Sequence, residues 1–386
     1  MMKVLFVSHQ DGKYGAALAL QELIELLHNN YEVQPVVVTN RNNELNKYCS
    51  THGIENYHLH FADCISKLSS NVALELFNRF IQNLKDFCGH LIGEHELKKN
   101  LDLSTVDIVY TNVSTVDFGA WLSEKYHKPH IWHLREFLRE NLNSEPASRK
   151  YYQLMNSSTR VVAISKAIGD SWIESGVRSS LVKVVYDGIE DHAELQRSRI
   201  SETDLTKFVF VGSASPHKGF QQLLDAVRLL QGAKLKFIVY VYGDYENDFG
   251  MQMQKKVKSL NLSQFIVFKG FSATVRNDLP KFHVGLMCSR AEGFGRTTVE
   301  YMLSGLAVIA SDTGANAEIV VNDEDGFMYH YGNSDELAMY MERYIRNHAL
   351  ITAHGDAGRR RALQNFTNET NAMAIFSLLK DVSITE

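Results

Sequence analysis

Between positions 289 and 300 the chain reads Ser-Arg-Ala-Glu-Gly-Phe-Gly-Arg-Thr-Thr-Val-Glu. Two carboxylates, Glu292 and Glu300, flank a turn that contains Gly293 and Gly295. The short apolar run before it, 284–287, reads as a strand, and residues 298–303 after it read as a helix. A glycine-rich turn from strand to helix aims free backbone N–H groups along the positive end of the helix dipole, which suits a phosphate. Thr297 reads as the N-cap. Glu300 then falls in the first helical turn and faces the same crevice as Glu292. The vicinal hydroxyls of a ribose suit one carboxylate, and other sugar hydroxyls suit the second. A capping glutamate beside a surface glutamate would show the same spacing, so spacing alone leaves both uses open.

Other segments could add to such a site. Residues 208–219, Phe-Val-Phe-Val-Gly-Ser-Ala-Ser-Pro-His-Lys-Gly, place Lys218 in a loop after a strand. A flexible ammonium there can stabilise charge that develops on a diphosphate leaving group. Residues 8–16 join the first strand to the first helix, and Gly15 and Ala16 let the backbone come close to a ligand. This loop is not G-x-G-x-x-G, so the dinucleotide fingerprint fails, and no P-loop motif is present. His130 and His133 lie in an apolar strand-like run followed by Arg135 and Glu136. Asp323, Glu324 and Asp325 have D-x-D spacing, but they stand just before Gly326 and read as a turn rather than a metal site.

The elements that must position these residues follow from the apolar pattern. Runs at 4–7, 33–38, 107–110, 130–133, 161–164 and 182–185 are nearly continuous in hydrophobicity, as strands buried on both faces of a parallel sheet are. Residues 16–28 carry leucines at 18, 20, 23, 26 and 27, the spacing of a helix with one buried face. The pattern restarts with strands at 208–211, 237–242, 265–268, 284–287 and 308–310, separated by helices at 220–230, 251–260 and 298–303. Polar residues 190–206 read as the linker. The class is therefore α/β, with two Rossmann-like, doubly wound parallel sheets. Residues 58–104 read as helix-rich. Leu74, Leu76, Phe77, Phe80, Leu84 and Phe87 are expected to pack inside the first domain, the alternative being an exposed face for a membrane or a lipid-linked acceptor.

Composition sets limits. The chain has 386 residues, 45% hydrophobic and 22% charged, with a formal net charge of -5. That length suits two domains, and the charge argues against a broad nucleic-acid footprint. No apolar stretch is long enough to span a bilayer, and the apolar run at 4–7 reads as a strand rather than a signal-peptide core. Cys49, Cys64, Cys88 and Cys288 show no metal-like spacing and read as reduced thiols of a cytoplasmic protein.

Taken together, Glu292 to Glu300 resembles the E-x7-E motif of retaining glycosyltransferases of the GT-B fold, the GT4 family (glycosyl transferases group 1). Residues 301–312 resemble that family's next helix and strand, and Asp325-Gly326-Phe327 its later turn. Residues 208–219 resemble its G-R…K-G loop, with Lys218 on the pyrophosphate lysine and Ser213 where members commonly carry arginine; Arg296 or Arg290 would then supply the second charge. His133 resembles the family's active-site histidine, which would hydrogen-bond the donor sugar or acceptor. Residues 162–166 and 186–189 resemble two further landmarks, the second with Asp187 in place of asparagine.

The resemblance implies two domains facing a central cleft. Residues 1–189 would hold the acceptor and 190–366 the nucleotide sugar, with a final helix within about 367–386 crossing back to the first domain. Donor-binding residues would be Gly15, Ala16, Gly212, Ser213, Lys218, Gly243, Glu292, Gly293, Phe294, Gly295, Arg296, Thr297, Thr298 and Glu300. Tyr14 and Arg135 would lie on the acceptor side, and His133, Glu292 and Lys218 would be catalytic. No metal and no cofactor are expected; a UDP or GDP sugar is the co-substrate and a glycan, lipid-linked or protein molecule the acceptor. The setting would be bacterial surface polysaccharide or glycan assembly, in the cytoplasm or peripherally at the inner face of the membrane. Two rivals use the same scaffold: a UDP-sugar epimerase, which needs no acceptor, and a non-catalytic subunit that binds nucleotide sugar without transfer.

Overall fold

The computed structural model describes residues 1–9, 15–192 and 205–384; Tyr14 and most of the stretch read as the linker lie outside the described residues. The chain forms two compact units, Met1–Gly188 with Asn368–Glu386, and Ile189–Thr367.

In the first unit seven parallel strands lie in the order β3-β2-β1-β5-β6-β8-β9. They are β1 (Met2–Ser8), β2 (Val33–Thr39), β3 (Glu55–His58), β5 (Ile108–Thr111), β6 (His130–Leu134), β8 (Arg160–Ala163) and β9 (Val182–Val184). β4 (Ile65–Lys67) and β7 (Ser144–Pro146) pair antiparallel in a small separate sheet. Alternate side chains of β1 feed opposite cores, as period-2 geometry requires. Val4 and Phe6 pack with Leu20, Leu23 and Ile24 of the Gly15–Asn30 helix and with Ile375 and Leu379 of the Asn368–Ser383 helix. Leu5 and Val7 pack on the other side with Phe118 and Leu122. A strand apolar on both faces is what a two-sided sheet demands, and the continuous runs in the sequence have this origin.

The second unit has six parallel strands in the order β12-β11-β10-β13-β14-β15. These are β10 (Thr206–Val211), β11 (Phe237–Tyr242), β12 (Ile266–Gly270), β13 (Val284–Met287), β14 (Ala307–Ser311) and β15 (Phe327–Tyr329). The order reverses between β10 and β13. Loops leaving their carboxyl ends therefore turn to opposite faces, and the crevice so opened is where such sheets bind ligands.

Four elements differ from the sequence reading. β3, β4 and β7 are short and largely polar, and β15, Phe327–Tyr329, is apolar but only three residues long, so none reads as a strand. The larger difference is the 27-residue Val72–Lys98 helix. Leu74, Leu76, Phe77, Phe80, Leu84 and Phe87, expected to pack inward, are all exposed. The buried face is instead Asp86, Gly89, His90, Gly93, Glu94 and Leu97. The glycines decide this orientation: a Cβ on Gly89 would stand 2.9 Å from the Ala62 backbone nitrogen, and one on Gly93 would stand 3.1 Å from the Phe118 ring. His90 pairs with Asp117 at 2.8 Å and Glu94 with Lys125 at 2.6 Å, while Asp86 Oδ1 stands 3.4 Å from His90 Nε2.

In the second unit Gly285 of β13 sits directly beneath the Tyr301 ring, and a Cβ there would overlap it. The Tyr301 hydroxyl in turn accepts from the Val211 backbone N–H at 2.9 Å. Gly285→Ala is expected to lower unfolding free energy by about 1–3 kcal/mol through overpacking, measured by urea denaturation.

Candidate active site

The loops that leave β10 and β13 meet at the carboxyl end of the second sheet. After β10 come Gly212, exposed Ser213, a 3₁₀ turn Pro216–Lys218 and Gly219 in the left-handed region, φ 72°. Gly219 starts the Phe220–Leu230 helix, and a Cβ on it would overlap the carbonyl oxygen of Cys288 just beyond β13. The two loops are also tied by Arg290 N–H to His217 O at 2.8 Å and by Gln222 Nε2 to Cys288 O at 3.0 Å. Gly243, after β11, packs as tightly on Gly212, with φ 147° and no room for a Cβ against the Gly212 carbonyl.

Held this way, the Lys218 ammonium donates to Glu292 Oε1 at 2.6 Å. Glu292 is itself braced from behind, since its carbonyl accepts from Ala315 N–H at 2.9 Å and Gly314 lies against its backbone. Gly293 follows it, and Phe294 is buried, with its ring 5.8 Å from that of Phe366. The helix begins at Arg296 after Gly295, which is left-handed at φ 89° and is the cap residue with no side-chain capping bond. Thr297 is therefore not the N-cap. It is the second helical residue, and Thr298 Oγ1 donates to Asn316 Oδ1 at 3.2 Å instead. With no N-cap side chain over them, the first N–H groups of the helix have no capping acceptor from that residue. Glu300 is the fifth helical residue and so begins the second turn, not the first.

The arginine on Glu300 is one that sequence reasoning missed. Arg276, in the short Val275–Asp278 helix after β12, donates to Glu300 Oε1 through Nε at 2.9 Å and Nη2 at 2.7 Å. Arg290 and Arg296, the expected sources of a second charge on the diphosphate, stand in the loop after β13 and at the start of the following helix. No motif marks Arg276, and only the fold carries it to β13. Asp323 pairs with Arg343 at 3.3 Å, and Asp325 accepts from Val321 N–H at 2.7 Å.

The first unit assigns its expected residues differently. Gly15 and Ala16 open the first helix, as expected of them. His133 has no exposed surface. Its Nδ1 accepts from Tyr110 Oη at 2.6 Å, while Nε2 has no partner. Burial, then the neighbouring Arg135 charge, holds its pKa well below the ordinary histidine value. His133 is thus a neutral core ring, not a surface group open to a sugar. Arg135 likewise does not line an open acceptor surface: it is buried and donates to Asp187 Oδ1 at 2.6 Å and to Asn112 Oδ1 at 2.9 Å. This also accounts for Asp187 in place of asparagine, since a buried guanidinium requires a counter-charge. His130 faces the opposite side of the sheet, between Thr111 and Ser158 at 2.8 Å each, and burial pushes its pKa down to about 3.

What the first unit does present is a broad polar depression at the carboxyl ends of β1 to β3, lined by His9, Arg41, Asn43, Lys47, His58 and Asp63. His9, just after β1, lies 3.1 Å from Thr115 Oγ1; burial lowers its pKa while Asp63 and Glu136 oppose that. Its place beside the first glycine-containing loop was the available signal for it. Behind this region, Asp86, His90 and Asp117 bring their ligand atoms within 4.8 Å of one another, all buried. Burial, followed by the Asp117 charge, raises the Asp86 carboxyl to about 9, so a neutral Asp86 beside the Asp117–His90 pair satisfies the cluster.

Comparison with known proteins gives a family match within the second unit and likenesses that extend over most of the chain. Residues 191–361 match the family model of glycosyl transferases group 1. An uncharacterized glycosyltransferase of Methanocaldococcus jannaschii is 24% identical over 315 residues, 78% of this chain and 84% of that one. The lipopolysaccharide core biosynthesis mannosyltransferase LpcC of Rhizobium leguminosarum bv. viciae is 35% identical over 127 residues, 33% of this chain and 36% of that one. Among solved structures, Anabaena Alr3699/HepE in complex with UDP superposes with a TM-score of 0.79 at 22% identity, covering 98% of this chain and 100% of that one. The fold is that of the GT-B glycosyltransferases.

Two measurements test the first-unit assignments. Asp187→Ala leaves Arg135 buried without its counter-charge and is expected to cost about 3–5 kcal/mol of stability, read from urea unfolding. The His130 ring stays neutral when folded but protonates near pH 6.5 when unfolded. Between pH 6.5 and about 3 the unfolded chain therefore binds the extra proton, and stability falls as pH falls through that window. The slope from this ring is about 1.4 kcal/mol per pH unit, and His130→Asn is expected to flatten the acid limb of the unfolding curve by that amount.

Proposed function

We propose that the chain is a retaining, metal-independent glycosyltransferase that moves a hexose from a UDP or GDP sugar to an acceptor hydroxyl, in the cytoplasmic assembly of a bacterial surface glycan. The observation that carries this reading is the paired arrangement of Lys218 with Glu292 and Arg276 with Glu300 around the uncapped N-terminus of the Arg296–Leu303 helix. Cations, carboxylates and a helix N-terminus converge there at the switch point of a parallel sheet. The family model supports it, as do a mannosyltransferase among the relatives and a UDP complex among the structures of like fold.

In this reading the diphosphate draws Lys218 from Glu292 and lies over the N–H groups of residues 296–298. Lys218 and those dipoles stabilise the charge that builds on the leaving diphosphate. Glu292, released, accepts from sugar hydroxyls, together with the backbone around Phe294 and Gly295. Glu300, already oriented by Arg276, accepts from the ribose hydroxyls. Transfer proceeds on one face of the sugar, with the leaving diphosphate helping to deprotonate the acceptor hydroxyl. The protein contributes positioning and charge. The polar depression of the first unit, with His9, Arg41 and Asp63, suits a hydroxyl-rich acceptor.

The test is a thermal-shift screen over UDP and GDP sugars, followed by transfer assays. A nucleotide sugar is expected to stabilise the wild type, and Glu300→Ala to abolish most of that shift. Lys218→Ala is expected to lower kcat by about 10²-fold. A wild type that no nucleotide sugar stabilises would overturn the assignment. So would a shift indifferent to Glu300→Ala. Proton NMR of the product checks the stereochemistry, with the donor's anomeric configuration expected in the product.

A further inference from the structure

Among the described residues, the exposed side of the Val72–Lys98 helix has no partner. Phe77, Phe80 and Phe87 are 60%, 64% and 60% exposed, with Leu84 and Leu91 at 3–4 residue spacing along the same line. Leu74, Leu76 and Ile92 widen this line into a band, and all are exposed. The band is broader than the roughly 100° stripe with which a surface helix meets a core. From Val72 to Ile92 it runs about 30 Å at ~1.5 Å per residue. A soluble surface rarely leaves so much contiguous apolar area uncovered.

Charge says what covers it. Every acid of this helix is turned toward the unit or engaged there: Glu75 with Arg79, Asp86 against His90, Glu94 with Lys98 and Lys125, Glu96 with His60. The exposed charged side chains of the helix itself are Lys85 and Lys98, with Lys99 at its C-terminal cap and Lys67 on the adjoining β4. A second copy of the chain packing here would need acids flanking the seam to meet these lysines. The flanking positions are Leu74, Leu76, Ile81, Asn83 and Cys88, with no acid among them. An apolar band with phenylalanines at its centre, on a helix whose own exposed charges are lysines, is the composition of a helix that lies in a lipid interface. Among the described residues no helix is long and apolar enough to cross a membrane, so the helix lies on the bilayer.

We propose that this face is a docking surface for an anionic membrane, with the phenylalanines in the acyl boundary and the lysines at the headgroups. The surface belongs to the first unit and shares no residue with the candidate active site, so its test is independent of the catalytic reading.

Cys88 offers a direct probe, because it lies on this face and is exposed while Cys49, Cys64 and Cys288 are buried. With an environment-sensitive dye on Cys88, the full chain is expected to show a blue-shifted, brighter emission on vesicles of phosphatidylglycerol and phosphatidylethanolamine, and little change on phosphatidylcholine alone. The unlabelled chain should float with the anionic vesicles, less so at high salt. The double variant Phe80→Glu, Phe87→Glu should lose at least about tenfold in vesicle affinity and keep its melting temperature. No spectral change and no flotation on anionic vesicles would overturn the proposal, and this arm needs no substitution. Binding that survives the double variant would overturn it too. The same holds for light scattering that shows a dimer dispersed by Phe80→Glu, Phe87→Glu, since a second copy would then cover the face.

Discussion

Gly219 has no space for a side chain, and much of the second unit's chemistry follows from that. Its backbone presses on the Cys288 carbonyl, so the loops after β10 and β13 are locked together before any ligand arrives. Gly243 against Gly212 does the same one strand further out. Three neighbouring strand ends are thus joined by backbone contact and not by long side chains. Lys218 is consequently delivered to Glu292 by a rigid frame. Preorganised donors of this kind act without a reorganisation cost during reaction.

The first unit reaches order by another route. Its polar groups nearest the sheet are turned inward: Arg135 on Asp187, Tyr110 on His133, and His90 between Asp86 and Asp117. These contacts fix the segments that follow β5, β6 and β9, and they leave the open polar surface to His9, Arg41, Lys47 and Asp63. A residue's position after a strand end therefore does not decide whether it meets ligand or core. Side-chain direction and burial decide it, and His133 and His9, both near strand ends, come out on opposite sides of that division.

All strands of the two large sheets except the edge strands β3 and β15 were legible, because a two-sided parallel sheet writes unbroken apolar runs into the chain. The Glu292–Glu300 turn was legible because glycines between strand and helix have few other uses. Three features were not. Arg276 reaches Glu300 across 24 residues of chain, with no local pattern to mark it. The cap of the Arg296–Leu303 helix is Gly295, a backbone conformation, while the sequence offered the more conventional Thr297. The Val72–Lys98 helix inverts the ordinary rule. Glycines and paired acids face inward and phenylalanines outward, so hydrophobicity pointed to the wrong face.

Burial also separates ion pairs that can serve a ligand from those that cannot. The Arg135–Asp187 side chains are 3% and 5% exposed, and parting them would leave a desolvated charge. Lys218 and Glu292 are 35% and 15% exposed, and Lys218 sits near the range where pairs contribute about 0–1 kcal/mol. A diphosphate arriving at that site has little to displace, because water and the incoming phosphate both compensate the lysine. The same exchange at Arg135 would cost the fold itself. Under the proposed function, the half-buried pair beside the helix N-terminus is a placeholder for substrate, with each partner holding the other in position until a stronger counter-charge comes.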